Sequence, residues 1–192
     1  MGDVILVTGG ARSGKSAFAE SLATDAARAV TYIATLEPLD DEMRDRIARH
    51  RARRPDDWRT VEVTGDATGD LAAAARTAQD GDMILLDCIA VWTSNRLLAL
   101  RDEAPTPAAL DALDGEVTRD LDALLKVLAA RSGTAIIVTN EVGDGLVPPY
   151  ALGRAYRDLL GRVNQQVSRA ARHAYLVVAG RALPLPPPFE RA

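Results

Sequence analysis

Short apolar, β-branched runs alternating with helix-patterned stretches make this chain an α/β protein, with a mainly parallel sheet covered by helices on both faces. The alternation itself is the first observation. Apolar runs at residues 4–7, 30–34, 83–86, 135–138 and 175–178, and a shorter one at 60–63, are separated by helical patterns at 41–53, 69–78, 89–100, 108–130 and about 152–172. Continuous apolar runs mark strands buried on both faces, and the crossovers between parallel strands supply the covering helices. The second observation is that the first run opens straight into a glycine-rich turn, followed by Phe18 and Leu22, four apart on one helical face.

That turn, Gly9, Gly10, Ala11, Arg12, Ser13, Gly14, Lys15 and Ser16, fits G-x-x-x-x-G-K-[ST] without a mismatch. Between a buried strand and a helix it is a phosphate-binding loop. Its backbone N–H groups wrap a polyphosphate, Lys15 reaches the outer phosphates, and Ser16 offers a hydroxyl to Mg²⁺. Lys126 is the only other lysine, which makes Lys15 more telling. The bland alternative is a glycine-rich turn with a chance lysine.

The helical pattern at 41–53 has acids at its start (Asp40, Asp41, Glu42) and arginines at its end, as the helix dipole favours, and Pro55 stops it. Met43 and Ile47 form a narrow apolar stripe. Arg46, His50 and Arg54 recur every four residues along one face, flanked by Arg49 and Arg53. A solvated charged helix accounts for the arginines as a group. His50, one of two histidines, stands among cations that disfavour a further positive charge. Neutral imidazole is a nucleophile, and neighbouring arginines would hold an incoming phosphate; a plain surface histidine is the alternative. His173, beside Arg169 and Arg172, reads as a cation at the end of the last helix.

The run at 83–86 ends in Asp87, a hard oxygen ligand suited to Mg²⁺ at the end of a strand neighbouring the phosphate-loop strand. Its other reading is a cap for the helix beginning near Ile89. Thr106 is placed to cap the helix that follows Pro105 and Pro107. Asn140, Glu141, Val142 and Gly143 follow the run at 135–138, at the sheet edge where ligands bind. Glu141 serves a kinase step or holds this loop against the phosphate loop; the alternative is a turn with Gly143 and Gly145 at positive φ. Trp58 and Trp92 read as core or subunit-interface residues.

Residues 1–183 suit one domain, and the proline-rich 184–192 an extended or disordered tail. No apolar run approaches the roughly 20 residues that span a bilayer, and the N-terminus has no signal-peptide pattern, so the cytoplasm is the expected location. Cys88 stands alone, which excludes an intramolecular disulfide and a cysteine-based zinc site. A formal charge of -4 argues against a nucleic-acid binder.

Several of these segments together resemble the bifunctional adenosylcobinamide kinase / adenosylcobinamide-phosphate guanylyltransferase family of cobalamin biosynthesis. The likeness rests on I-L-V-T-G-G-A-R-S-G-K-S from Ile5, Y-I-A-T from Tyr32, and D-D-E-M-x-x-R-I-x-x-H from Asp40 to His50. R-P-x-x-W-R-T from Arg54, L-L-D-C from Leu85, T-N-E-V-G-x-G-L-V-P from Thr139 and G-R-V-N-Q from Gly161 extend it. The resemblance implies a RecA-like P-loop NTPase fold, a homotrimer, and two reactions. A nucleoside triphosphate, ATP or GTP, phosphorylates adenosylcobinamide. A histidine then takes GMP from GTP, releasing pyrophosphate, and passes it to adenosylcobinamide phosphate, giving adenosylcobinamide-GDP. His50 matches the guanylylated histidine, and Gly9 to Ser16 the triphosphate loop. Ala34, Thr35 and Leu36 match a segment bordering the nucleotide, Arg51, Ala52, Arg53 and Arg54 the stretch after the histidine, Glu62 an acid for the guanine, and Asp87 an acid near the nucleotide. Members often carry two adjacent histidines; here Arg49 takes the earlier place.

Two other readings compete. One is a P-loop kinase of another small alcohol, and the other is a P-loop ATPase switch that serves a partner. Neither gives His50 a covalent role.

Overall fold

The computed structural model describes residues 2–37, 41–63 and 70–189, apart from the side chains of Glu42, Met43 and Arg46. The expected roles of Asp40, Met43 and Arg46, and the helix start at Gly69, lie outside the described residues. In chain order the elements are β1 (Val4–Thr8), α1 (Lys15–Asp25), β2 (Val30–Ala34), α2 (Asp41–Ala52), β3 (Arg59–Glu62), α3 (Leu71–Arg76) and β4 (Met83–Asp87). There follow α4 (Ile89–Leu98), α5 (Pro107–Ala130), β5 (Ala135–Val138), α6 (Ala151–Ala170), β6 (His173–Val178) and β7 (Arg181–Pro184).

All seven strands form one sheet in the order β3-β2-β4-β5-β1-β6-β7. Every pairing is parallel except β6 with β7. Right-handed crossovers that step in opposite directions along a sheet put their helices on opposite faces. The steps through α1 and α2 run away from β1, and those through α3, α4, α5 and α6 run back past it, so both faces are covered. α1 lies on β1, β4, β5 and β6, while α6 packs on β1, α4 and α5. The α/β class with a mainly parallel sheet and helices on both faces is borne out.

One expectation about order is corrected: β5 lies between β1 and β4, so the strand carrying Asp87 is not the neighbour of the phosphate-loop strand. β7 is a further strand that the apolar pattern did not announce. It is a short edge strand ending at Pro184, the one place in a sheet where proline's missing N–H costs little. Leu185 continues the pairing for one bond, its N–H donating to the Ala174 carbonyl at 2.8 Å.

The four residues of β5 are all buried, and in α5 Leu113, Val117, Leu121, Leu124 and Leu128 make one buried stripe. Each such side chain contributes about 1.5–3 kcal/mol by leaving water. Thr106 caps α5 as expected, its Oγ1 accepting from the Ala109 N–H at 3.2 Å, and Asp70 does the same for α3 at 2.8 Å. Trp92 is buried in the core and Trp58 packs half-buried against it. His173 is not a helix-end cation: α6 stops at Ala170, and His173 opens β6.

Candidate active site

β1 ends in the phosphate loop, and the loop's glycines are dictated by what crowds it. Gly14, the residue before α1, adopts φ 97°, a conformation that L side chains rarely take, and a Cβ there would lie 3.3 Å from the Cα of Gly180. A Cβ on Gly9 would come within 2.4 Å of the Val177 carbonyl oxygen. Neighbouring segments brace the loop through its backbone. The Gly180 N–H donates to the Ser13 carbonyl at 2.8 Å, and the Glu141 N–H to the Gly9 carbonyl at 3.1 Å. The backbone of Glu141 thus ties its loop to the phosphate loop while its carboxylate accepts from the Gly143 N–H at 2.6 Å, and neither Gly143 nor Gly145 has the positive φ of the turn alternative. The Lys15 ammonium donates to the Gly10 carbonyl at 3.2 Å.

Past the loop, α1 carries Glu20 one turn beyond Ser16. Its Oε1 is buried and accepts no hydrogen bond among the described residues. That oxygen lies 3.7 Å from Arg53 Nη2 and 4.0 Å from His50 Nδ1, both brought by the C-terminal end of α2. Burial pushes the Glu20 carboxyl above its ordinary range; Arg53 pulls it down and the charge of Asp87 pushes it up again. Glu20, His50 and Asp87 each offer a ligand atom within 4.8 Å of the others. His50 therefore stands between a cation and an anion, not among cations alone. Arg53 Nη2 also comes 3.1 Å from His50 Nδ1.

Asp87 is held by β2 as well as by its own strand: the buried Tyr32 hydroxyl donates to its Oδ2 at 3.2 Å. Burial is the main cause that pushes the Tyr32 hydroxyl's pKa far up, the charge of Asp87 the next, so Tyr32 stays a donor. Asp87 does not cap α4; that position is Cys88, whose side chain makes no cap bond. The Cys88 thiol is pushed up to about 12, mainly by burial, and is inert at neutral pH.

Of the remaining predicted positions, Ala34 and Glu62 end β2 and β3, Thr35 and Leu36 follow β2, and Arg51 to Arg54 lie at or just past the end of α2. Ala34 pairs with Glu62 in register, and Glu62 is exposed at the end of β3. Thr35 is wholly buried and its hydroxyl is spent on the Cys88 backbone, whereas Leu36 is half-buried. Arg51, Ala52 and Arg53 are exposed. Arg54 lies beyond the end of α2, not on its face. Its Nε donates to the His50 carbonyl at 3.1 Å and its guanidinium stacks 3.7 Å over the Tyr32 ring. Sequence reasoning gave no role to Glu20 or Tyr32. The spacing of Glu20, four residues after Ser16, was the available signal for the first.

A phosphate loop whose helix carries one carboxylate and faces a histidine and a second carboxylate is the setting into which the comparisons fall. The model of the family described as cobinamide kinase / cobinamide phosphate guanyltransferase matches residues 5–185. The chain belongs to that family. Among its curated relatives, the bifunctional adenosylcobalamin biosynthesis protein CobU of Salmonella typhimurium (strain LT2) is 44% identical over 178 residues, covering 92% of this chain and 96% of the relative. CobU of Escherichia coli (strain K12) is 41% identical over the same shares, and the CobP protein of Pseudomonas aeruginosa is 42% identical over 94% of this chain and 95% of its own length. Among solved structures, a prototypical ATPase from the type III secretion system of pathogenic bacteria aligns with a TM-score of 0.60 at 14% identity. It matches 92% of this chain, which spans about half (52%) of that one. That likeness shows a shared fold, in keeping with the RecA-like α/β class, and nothing of activity or substrate.

Proposed function

We propose that this chain carries out both reactions of the cobinamide kinase / cobinamide phosphate guanyltransferase family, with His50 as the residue that carries GMP. In the kinase reaction, a nucleoside triphosphate held by residues 9–16 gives its terminal phosphoryl group to the hydroxyl of adenosylcobinamide. Such transfer needs positioning and charge stabilisation, which the loop N–H groups and Lys15 supply. In the transferase reaction, an imidazole nitrogen of His50 attacks the α-phosphorus of GTP and the bond to the bridging oxygen breaks, its electron pair leaving with pyrophosphate. The GMP then passes to a phosphate oxygen of adenosylcobinamide phosphate, giving adenosylcobinamide-GDP. Glu62 is the proposed guanine contact, and Ala34, Leu36, Arg51 and Arg53 border the nucleotide.

Mg²⁺ requires hard oxygen donors, and the Ser16 hydroxyl in the first turn of α1 and the half-buried Asp87 carboxylate provide them. Bound there, the ion would neutralise phosphate charge. The reading extends to a cytoplasmic homotrimer, which sedimentation of the purified protein measures. Among the described residues no helix is long and apolar enough to cross a membrane.

The observation that carries the proposal is the placement of His50 within 4.8 Å of both Glu20, on the phosphate-loop helix, and Asp87. A kinase of another alcohol, or a switch ATPase, has no use for that arrangement. Incubation with α-labelled GTP tests it. Label should survive denaturation in alkali and leave in acid, as a histidine phosphoramidate does; absence of acid-labile label removes the transferase assignment.

A further inference from the structure

Glu20 is an acid kept where an acid is expensive. Its side chain is 13% exposed, and Oε1 is buried without accepting a hydrogen bond among the described residues. A buried carboxylate oxygen left in that state costs free energy unless a donor reaches it in the working protein. Two donors lie just out of range, Arg53 Nη2 at 3.7 Å and His50 Nδ1 at 4.0 Å.

The contacts of His50 Nδ1 decide between them. Arg53 Nη2 is 3.1 Å away, and a guanidinium only donates. In this arrangement Nδ1 accepts, so the ring proton of neutral imidazole sits on Nε2. That tautomer presents no lone pair at Nε2 and has its Nδ1 lone pair engaged, so neither nitrogen is ready for phosphorus. A carboxylate at Nδ1 demands the opposite tautomer, with the proton on Nδ1 and the lone pair on Nε2.

We propose that Glu20 is the positioning residue of the guanylyl transfer: it accepts a hydrogen bond from His50 Nδ1–H and so fixes the tautomer in which Nε2 attacks. This rests on the reading of His50 as the GMP carrier. Arg53 is the exposed partner that gives way, because the triphosphate offers its guanidinium a stronger acceptor than an imidazole lone pair. Contacts of this kind commonly tighten only when substrate is bound, and 4.0 Å closes with a small turn of the ring.

The bonds balance without any further reagent. The Nε2 lone pair forms the N–P bond as the bond to the bridging oxygen breaks, and that pair leaves on pyrophosphate. The ring then carries one positive charge with its proton still on Nδ1, facing the Glu20 carboxylate. When a phosphate oxygen of the acceptor attacks phosphorus, the N–P pair returns to Nε2 and the same neutral tautomer is restored. Glu20 orients and offsets charge throughout and binds no substrate atom.

The experiment uses the full chain with ¹⁵N-labelled histidine, as wild type, Glu20→Ala, Glu20→Gln and His50→Ala. Each is treated with α-labelled GTP, and the nitrogen bearing phosphorus is identified by ¹⁵N–³¹P coupling. Ring ¹⁵N shifts in the presence of a GTP analogue that cannot be cleaved at the α-phosphorus report the tautomer. Wild type should carry label on Nε2 and show Nδ1 protonated in the analogue complex. Glu20→Ala should revert to the Nε2–H form and label on the order of 100-fold more slowly. Glu20→Gln keeps an acceptor oxygen, so it should keep the Nδ1–H form and label within about tenfold of wild type. Label on Nδ1, or a Glu20→Ala protein that labels at the wild-type rate, overturns the role of Glu20 while leaving His50 as the carrier. Glu20→Gln falling as far as Glu20→Ala also overturns it, and this pair decides the matter if Glu20→Ala folds poorly. Label retained in His50→Ala overturns the underlying reading instead.

Discussion

The side chain of Thr35 and the backbone of Cys88 are bonded to each other twice. Thr35 Oγ1 donates to the Cys88 carbonyl at 2.7 Å and accepts from the Cys88 N–H at 3.0 Å, and both residues are buried. The pair locks the end of β2 to the junction where β4 gives Asp87 and turns into α4. Thr35→Val keeps the shape and removes the hydroxyl, leaving a buried donor and acceptor unpaired. It should cost about 1–3 kcal/mol of stability, read as a lowered denaturation midpoint, and an unchanged midpoint would deny the lock any weight.

Lys15→Ala removes the cation that the loop fixes on the outer phosphates. Both the kinase and the guanylyl-transfer rates should fall together, each by about 100-fold or more. Lys15→Arg should not rescue them, because a planar fork does not occupy the place of an ammonium. Steady-state assays of the two half-reactions give the comparison, and near-normal rates in Lys15→Ala would remove the phosphate-loop assignment.

Asp87→Asn keeps the acceptor for Tyr32 and loses the charge. The Mg²⁺ concentration needed for half-maximal activity should rise roughly tenfold or more while the melting temperature stays close to wild type. A metal titration that does not move would leave Asp87 as a partner of Tyr32 and nothing else.

His50→Ala should abolish covalent GMP labelling and guanylyl transfer while leaving phosphorylation of adenosylcobinamide measurable, since only the former needs a nucleophilic imidazole. His50→Asn should behave alike, and His173→Ala, altered at the far end of the sheet, should keep its label. Loss of both activities in folded His50→Ala would mean that one nucleotide site serves both reactions.

The Glu20 carboxyl has its pKa raised in the fold, chiefly by burial. The folded state therefore holds that proton more tightly than the unfolded chain does. Its contribution to stability is present below the unfolded value and is lost as the pH climbs through the raised folded one. Glu20→Gln should flatten this fall, and the denaturant midpoint of the variant should change less than that of wild type between acid and neutral pH. Equal slopes in the two proteins would count against the buried charge.

The phosphate loop, the apolar strands and the capped start of α5 could be read from the chain because each is written in neighbouring residues. Val4 to Ser16 spell strand, turn and helix in one stretch, and Thr106 sits three residues before the amide it caps. Strand order is not written locally: nothing near Asp87 says that β5 will insert between β4 and β1. β7 went unseen because an edge strand needs no apolar alternation and Pro184 argues for a tail. Glu20 was hidden for a similar reason, since its meaning depends on α1 and α2 sharing a face of the sheet. Arg54 was read as a helix-face residue because a spacing of four continues on paper past the point where Pro55 ends the helix.

The β6–β7 turn, which gives the Gly180 N–H to the Ser13 carbonyl and fits its Cα beside Gly14, gives the molecule an order of assembly. During synthesis the glycine-rich motif emerges early, yet the segment that props it is translated long afterwards. A growing chain that stops short of residue 179 holds every residue of the motif and lacks its prop. The phosphate loop therefore acquires its full set of backbone supports only once nearly all of the sheet has been made.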